Sequence, residues 1–495
     1  MKVSPTIFRL YDIRGIAGKE FSKDAIAEFE KWYGPFPGIN ITLDVAEALG
    51  KAYGTYIQRK YNGKNIVVGQ ELRPFSNELT QGFINGILST GCDVTDVGIA
   101  LTPLVYFANG FYEFDGGVNV TGSHNVYFYN GFKMNGKGVL PIYGDELQVV
   151  REMVEKEDFI QAEKGELKKK EVYPDYEEFM TKKLNIKRRL KVVIDCGNGS
   201  AGLFAPQFFR KLGCEVVELY TTPDATFPNH VPDPEMPNNM EELGRKVVET
   251  KADCGIGLDA DGDRVGFVDE NGEYVDTDMM ILLLAREALK TDPGKKILYD
   301  VKCTRLMEEL IPKFGGVPLM HITGHAPIKD TFRKDPDIIF GGEVSGHIYF
   351  VKELFRSEDG MYAGARILEL LADSNEPFSA LFKDFPVTVR TTELKLPCAD
   401  EVKFDVIKKV QEHFSKLYKT VTIDGVRMSF DDKSWAIVRA SNTSPYLTVR
   451  FEADTKERVL EMKNVVADFL EQFPEIEDKL DRKEVMSLTG RLGWV

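Results

Sequence analysis

Three aspartates at alternate positions, Asp259, Asp261 and Asp263, follow the apolar run Gly255 to Leu258. An extended loop with that spacing places three carboxylates on one side at the end of a strand. Their mutual repulsion is relieved by a cation between them, and an all-oxygen donor set selects Mg²⁺ or Ca²⁺. A second candidate is Thr121-Gly122-Ser123-His124-Asn125, after the run Gly116 to Val120. Ser123 is therefore expected on a tight loop at a strand's C-terminal edge, where open α/β sheets bind ligands. A serine and a histidine in a loop are commonly only turn formers, so this pair draws its meaning from the rest of the chain.

Two further loops supply company. Ile338-Ile339-Phe340 opens onto Gly341-Gly342-Glu343-Val344-Ser345-Gly346-His347, in which Glu343 and Ser345 offer an acceptor and a donor suited to sugar hydroxyls. Arg439-Ala440-Ser441-Asn442-Thr443-Ser444-Pro445 gathers a guanidinium, hydroxyls, an amide and turn N–H groups. Such a nest fits a phosphate dianion, and the same composition also fits an ordinary hairpin turn. A metal site, a hydroxyl nucleophile, a polyol loop and a phosphate clamp have one simple joint use. It is phosphoryl transfer on a phosphorylated sugar, with the serine carrying the group.

The aspartate loop alone admits other readings. An EF-hand would place Glu270 at its twelfth position, but Arg264 stands where glycine is needed and a strand precedes the loop. The aspartyl-phosphate loop of haloacid dehalogenase-type phosphatases also carries D-x-D-G, but that reading leaves the other loops unexplained.

The elements that position these loops form an internal repeat. Ile66 to Gly69, a helix ending at Gly91-Cys92 and Asp93 to Val97 make one strand-helix-strand unit. Val192 to Asp195 with Glu215 to Leu219, and Ile297 to Asp300 with Val317 to Ile322, repeat it. The layout predicts an α/β protein with three related mixed α/β domains and parallel pairing. The tail reads as strand, helix, three strands and helix. Val459, Met462, Val466, Phe469, Leu470 and Phe473 share one helical face there, which makes it a small α+β domain. The expected boundaries are 1–165, 166–272, 273–388 and 389–495. Phe8 to Gly15 reads as a strand turning at Gly15, with Asp12 and Arg14 as surface charges. Residues 18 to 43 read as an excursion packed locally or at an interface, without chemistry of its own, and Thr277 as the N-cap that opens the third domain.

Composition sets outer limits. With 495 residues the chain exceeds one core. A net charge of -15 argues against a nucleic-acid surface, while leaving room for a local basic cluster that binds a small anion. The six cysteines are scattered without a C-x-x-C pair, as expected of buried thiols in a reducing cytosol. No apolar run approaches a membrane span, so a cytoplasmic protein is expected, as a monomer or a homodimer.

In order along the chain, YDIRG, TGSHN with YNGFK, DADGDR, GEVSGH and RASNTSP resemble the motifs of the α-D-phosphohexomutase superfamily. The similarity is strongest to its bacterial and archaeal phosphomannomutase/phosphoglucomutase group. The resemblance implies a heart-shaped, four-domain enzyme with a fourth domain like the TATA-binding-protein fold. It also implies Mg²⁺, a hexose phosphate substrate and hexose 1,6-bisphosphate as intermediate and activator. By the same resemblance Ser123 is the phosphoserine beside His124, and Asp259, Asp261 and Asp263 join it as metal ligands. Arg14 and Lys133 assist proton transfer, and Arg264 holds the phosphoserine region. Glu343 and Ser345 read sugar hydroxyls beside His347, while Lys302 and His325 line the ligand. Arg439, Ser441, Asn442 and Thr443 clamp the second phosphate. Departures from the group are Val126, where proline is common, and Gln70-Glu71, where Arg-Asp is typical. Both bear on the rigidity of the loop. A metal-dependent sugar phosphatase and a sugar-phosphate-binding scaffold without turnover are the alternatives.

Overall fold

The computed structural model describes residues 1–480, Gly34 and Thr443 excepted. Three sheets share one plan. In the first, Asn65–Gln70 pairs in parallel with Asp93–Ile99 on one side and Gly116–Val120 on the other. Lys191–Asp195 lies likewise between Glu215–Leu219 and Cys254–Leu258. In the third, Lys296–Asp300 lies between Val317–His321 and Ile338–Gly342. Each central strand is an apolar run covered on both faces, as parallel sheets require. The outer strands Gly116–Val120, Cys254–Leu258 and Ile338–Gly342 are then each met by an antiparallel strand: Tyr129–Gly136, Val265–Val268 and Ile348–Phe350. The three polar loops are the connections between those pairs. Their equivalence follows from the repeat of topology.

The first sheet also takes in Ile13–Ile16 at one edge and Leu167–Lys169 at the other. The N-terminal strand differs from expectation. Pro5–Ile7 forms a 3₁₀ turn, and Gly15 lies within Ile13–Ile16, paired with Asn130. Glycine is required there by packing, because a Cβ would meet Asn40 Oδ1 at 2.2 Å. The helix of the third domain runs Thr277–Thr291 with Asp276, one residue earlier than expected, as its N-cap. The Asp276 carboxylate turns to Arg390 at 3.1 Å.

The fourth sheet is antiparallel, with Leu394–Pro397 followed by helix Lys403–Phe414, four strands and helix Lys456–Leu470. The strands not foreseen are Val389–Arg390, paired with Tyr446–Ala453, and Lys419–Val421, a short edge strand paired with Val426–Asp431. Val459, Met462, Val466 and Leu470 are buried as their periodicity requires.

One apolar core runs continuously through the second and third domains and takes in Leu101, Leu104, Val105 and Phe107 of the first. That continuity holds the Ser123 and Asp259 loops in a fixed relation. The excursion contains helix Lys23–Tyr33. Its Phe21 and Phe29 pack on Phe128, with ring centroids 4.8 and 5.2 Å away. All six cysteines are buried and free. Among the described residues no helix is long and apolar enough to cross a membrane.

Candidate active site

The strand ends converge on a cleft between the four domains. Arg14, Ser123, His124, Lys133, Arg264, Lys302, His325, Glu343, Ser345, His347, Arg439, Ser441 and Asn442 all line it. Thr443 lies outside the described residues. The carboxylates of Asp259, Asp261 and Asp263 sit just beneath, fully buried and with oxygens within 4.8 Å of one another.

Ser123 stands at the tip of its loop with φ of 52°. Its Oγ lies 3.2 Å from His124 Nδ1 and 3.4 Å from Asp259 Oδ2, which joins the serine hydroxyl to the carboxylate cluster. Burial, reinforced by Arg264 and Arg14, pushes His124 well below its ordinary pKa, so the ring is neutral.

The aspartates are unequally satisfied. Asp261 Oδ2 accepts from Thr102 Oγ1 at 2.6 Å and Lys133 Nζ at 2.9 Å, with Thr121 Oγ1 3.0 Å away. Lys133 also donates to Asp263 Oδ2, and Asp259 Oδ1 accepts the Arg264 N–H at 3.0 Å. Asp261 Oδ1 and Asp263 Oδ1 are buried without a partner. Two free anionic oxygens beside a third carboxylate and a serine hydroxyl fit a hard divalent cation. Burial lowers the Lys133 pKa, but Asp261 and Asp263 outweigh it and hold the residue as a cation. Burial, then the charges of Asp261 and Asp263, raise Asp259 well above the usual carboxylate range.

Arg14 donates through Nη1 to Asn125 Oδ1 at 2.7 Å and to the Gly122 carbonyl at 2.5 Å. Asp12 is no surface charge. It is largely shielded between Arg14 at 3.3 Å and His325 at 3.4 Å, because the strand Ile13–Ile16 carries it into the cleft. Burial alone would raise its carboxyl, yet His325 and Arg14 hold it below the usual range.

On the third domain, Glu343 Oε1 accepts the Gly324 N–H at 2.6 Å and Oε2 accepts from Tyr349 at 2.5 Å. Burial, with Asp300 nearby, pushes the Glu343 carboxyl up to about 7. Arg264 Nε donates to His347 Nε2 at 3.2 Å, which requires that nitrogen to lack a proton. Burial and Arg264 accordingly depress the His347 pKa. Lys302 Nζ lies 3.2 Å from Glu393 and 3.6 Å from Glu235. In the fourth domain Arg439 Nε donates to Asp424 at 3.1 Å. Asn442 Nδ2 reaches across to the Tyr11 hydroxyl at 2.7 Å, closing the cleft between first and last domains.

Sequence reasoning gave no role to Tyr11, although it opens YDIRG, and did not find Glu235, Glu393 or Asp424. Each of these three is a lone polar residue whose partners come from another element, and no local pattern marks it. Thr102 had a weak signal, as the first residue of a Thr-Pro helix start. Glu71, read as a departure bearing on loop rigidity, is an anchor. Its Oε2 accepts from the Gly122 and Ser123 N–H groups at 3.0 and 3.2 Å.

The chain matches family models for each domain of one enzyme family. They are phosphoglucomutase/phosphomannomutase alpha/beta/alpha domain I over residues 5–161, domain II over 174–272, domain III over 276–389 and the C-terminal domain over 393–469. Among relatives, a phosphomannomutase/phosphoglucomutase of Pseudomonas aeruginosa is 37% identical over 462 residues, 93% of this chain and 94% of the relative. A phosphoglucomutase of Neisseria meningitidis is 35% identical, covering 96% and 98%. A phosphoglucomutase/phosphomannomutase family protein of Burkholderia thailandensis has a crystal structure that superposes with a TM-score of 0.85 at 34% identity, covering 97% of this chain and 100% of that one.

Proposed function

This chain belongs to the phosphoglucomutase/phosphomannomutase family, and from that premise we propose that it moves a phosphoryl group between the 1- and 6-positions of a hexose phosphate with Ser123 as carrier. The observation that carries the proposal is the position of Ser123 Oγ, 3.4 Å from a buried three-aspartate cluster, in a cleft shared with Arg439 and Ser441.

In the first transfer the phosphoserine P–Oγ bond breaks and a bond forms from phosphorus to the free sugar hydroxyl, whose proton is given up as Ser123 Oγ takes one up and returns to the hydroxyl. The product is a hexose 1,6-bisphosphate. After it reorients, its other phosphoryl group returns to Ser123 Oγ and the opposite monophosphate leaves. Asp259, Asp261, Asp263 and Ser123 would hold Mg²⁺, which supplies neutralisation of charge on the phosphoryl oxygens. Lys133 and Arg14, cations at the nucleophile loop, lower the cost of deprotonating the sugar hydroxyl and stabilise the charge that develops. Arg264 steadies the aspartate loop by its N–H to Asp259 and meets His347 of the third domain through Nε, and from there it holds the phosphoserine region with His347 beside it. Glu343 and Ser345 read sugar hydroxyls, while Lys302 and His325 line the opposite wall. Arg439, Ser441, Asn442 and Thr443 hold the phosphate that is not reacting. A few hydrogen bonds to pseudo-symmetric hydroxyls accept the sugar in both orientations.

The test is ³¹P NMR of the protein with Mg²⁺ and a trace of glucose 1,6-bisphosphate, in separate tubes of mannose 1-phosphate and glucose 1-phosphate. The expected result is the 6-phosphate, absent with Ser123→Ala. Inorganic phosphate alone would make the protein a phosphatase. Binding without any conversion would make it a scaffold.

A further inference from the structure

The backbone at Ser123 adopts a left-handed conformation that residues with a side chain avoid. The peptide groups on both sides of Ser123 are pinned by one buried ion pair. Glu71 and Arg73 have no exposed side-chain surface, and Arg73 Nε donates to Glu71 Oε1 at 2.7 Å. The other oxygen, Oε2, takes the Thr121 hydroxyl at 2.5 Å together with the Gly122 and Ser123 N–H groups. Arg73 Nη2 donates to the Ser123 carbonyl. Its Nη1 donates to the carbonyls of Val126 at 2.9 Å and Tyr129 at 3.1 Å. The guanidinium lies flat against the loop because residue 122 has no side chain. A Cβ on Gly122 would meet it at 2.5 Å.

The pair is also tied to the domain that carries the aspartates. Arg73 sits over the Phe227 ring at 4.9 Å, and the Leu72 N–H donates to Ser200 Oγ at 2.7 Å. One side of this strap therefore fixes the nucleophile and the other side fixes the second domain. Neither Glu71 nor Arg73 lines the cleft.

We propose that Glu71 and Arg73 are positioning residues for phosphoryl transfer, which clamp the Ser123 backbone in its left-handed turn and set the hydroxyl against the aspartate cluster. The inference rests on Ser123 being the carrier. Glu71→Gln preserves size, but an amide accepts at one end only. Either Arg73 Nε or the Gly122 N–H and Thr121 hydroxyl then lose their acceptor, while the Ser123 N–H keeps its bond to Thr121 Oγ1 at 2.7 Å.

Wild type and E71Q, loaded on Ser123 by glucose 1,6-bisphosphate, are mixed with mannose 1-phosphate and followed through a single turnover. Substrate Kd is measured alongside. Amide hydrogen exchange at Gly122 and Ser123 is read on the substrate-free proteins. A nucleophile displaced by about 1 Å loses about a hundredfold in rate, so transfer is expected to slow about a hundredfold while Kd stays within about threefold. Exchange at Gly122, whose N–H has Glu71 as its acceptor, should speed at least about tenfold, and E71D, which keeps the charge, should recover a large part of both the rate and the protection. Gly122→Ala perturbs the same brace with the ion pair intact and serves if E71Q does not fold. Its transfer should slow in the same way. Transfer by E71Q and G122A within about threefold of wild type, or unchanged exchange at Gly122 in E71Q, would overturn the inference. Should wild type itself never carry phosphate on Ser123, the proposed function fails, and the exchange measurement alone decides whether the clamp exists.

Discussion

Replacing Lys403 by methionine removes a buried cation that lies behind the fourth-domain loop and not in the cleft. Its Nζ donates to the Ser441 carbonyl at 2.5 Å, to the Ser444 carbonyl at 3.0 Å and to Asp400 Oδ1 at 2.6 Å. Methionine keeps the aliphatic length and removes all three bonds. Asp400 is not left unpaired, because Arg9 reaches its other oxygen at 2.8 Å. The loss therefore falls on the loop between residues 441 and 444. That loop retains the Ser444 N–H to Ser441 Oγ at 3.2 Å and the Tyr446 N–H to the Ser444 carbonyl at 2.9 Å. With part of the loop free in the unliganded protein, bound phosphate must order one or two residues at about 1–2 kcal/mol each. A cost of about 2 kcal/mol corresponds to roughly thirtyfold weaker binding. A clamp on the unreacting phosphate contributes equally to ground and transition states, so KM should rise about thirtyfold with kcat within about twofold. Initial-rate kinetics with glucose 1-phosphate and calorimetric Kd values, at a temperature where the variant is folded, measure both. A fall in kcat at unchanged KM would refute the reasoning, as would no change in either.

Three further changes test other parts of the molecule. Asp261→Asn removes one of three clustered carboxylates and should weaken Mn²⁺ binding by at least about tenfold in calorimetry, with chelator-treated wild type inactive until a divalent ion is restored. Phe128→Ala empties a site packed by Phe21 and Phe29 and should cost about 3–5 kcal/mol in urea unfolding; a cost below about 1 kcal/mol would mean that the excursion does not brace this strand end. His230 lies 3.1 Å from buried Asp195. Burial lowers its pKa, but the hydrogen bond and charge of Asp195 outweigh burial and raise it above its ordinary value of 6.5. A histidine raised on folding adds stability that is fully present below its unfolded pKa and is lost as pH rises through the folded value. The advantage of wild type over His230→Gln in urea unfolding should thus be larger near about pH 6 than near about pH 9; a pH-independent difference would contradict the pairing.

What could be read in the sequence and what could not divide along a physical line. The three repeats are legible because each is a local pattern, an apolar run that ends in polar residues, and the sheet topology then forces the three loops to equivalent strand ends. The fourth domain's helix was legible from its period, whereas Lys419–Val421 was not, because an exposed edge strand needs no apolar alternation. Gly15 reads as a turn until Asn40, distant in sequence, is placed so close that a Cβ on residue 15 would come within 2.2 Å of its Oδ1. Asp12 reads as a surface charge until the strand that carries it is seen to enter the cleft. Glu235 and Glu393 come together around Lys302 only when the second, third and fourth domains meet. Residues that perform chemistry must present particular groups at particular spacings, and such groups leave motifs. A residue that holds another needs only to reach it. The Glu71 carboxylate, three bonds deep in the loop it steadies, is written in the chain as one more acidic side chain after a strand, and its role exists only in the geometry of the groups that donate to it.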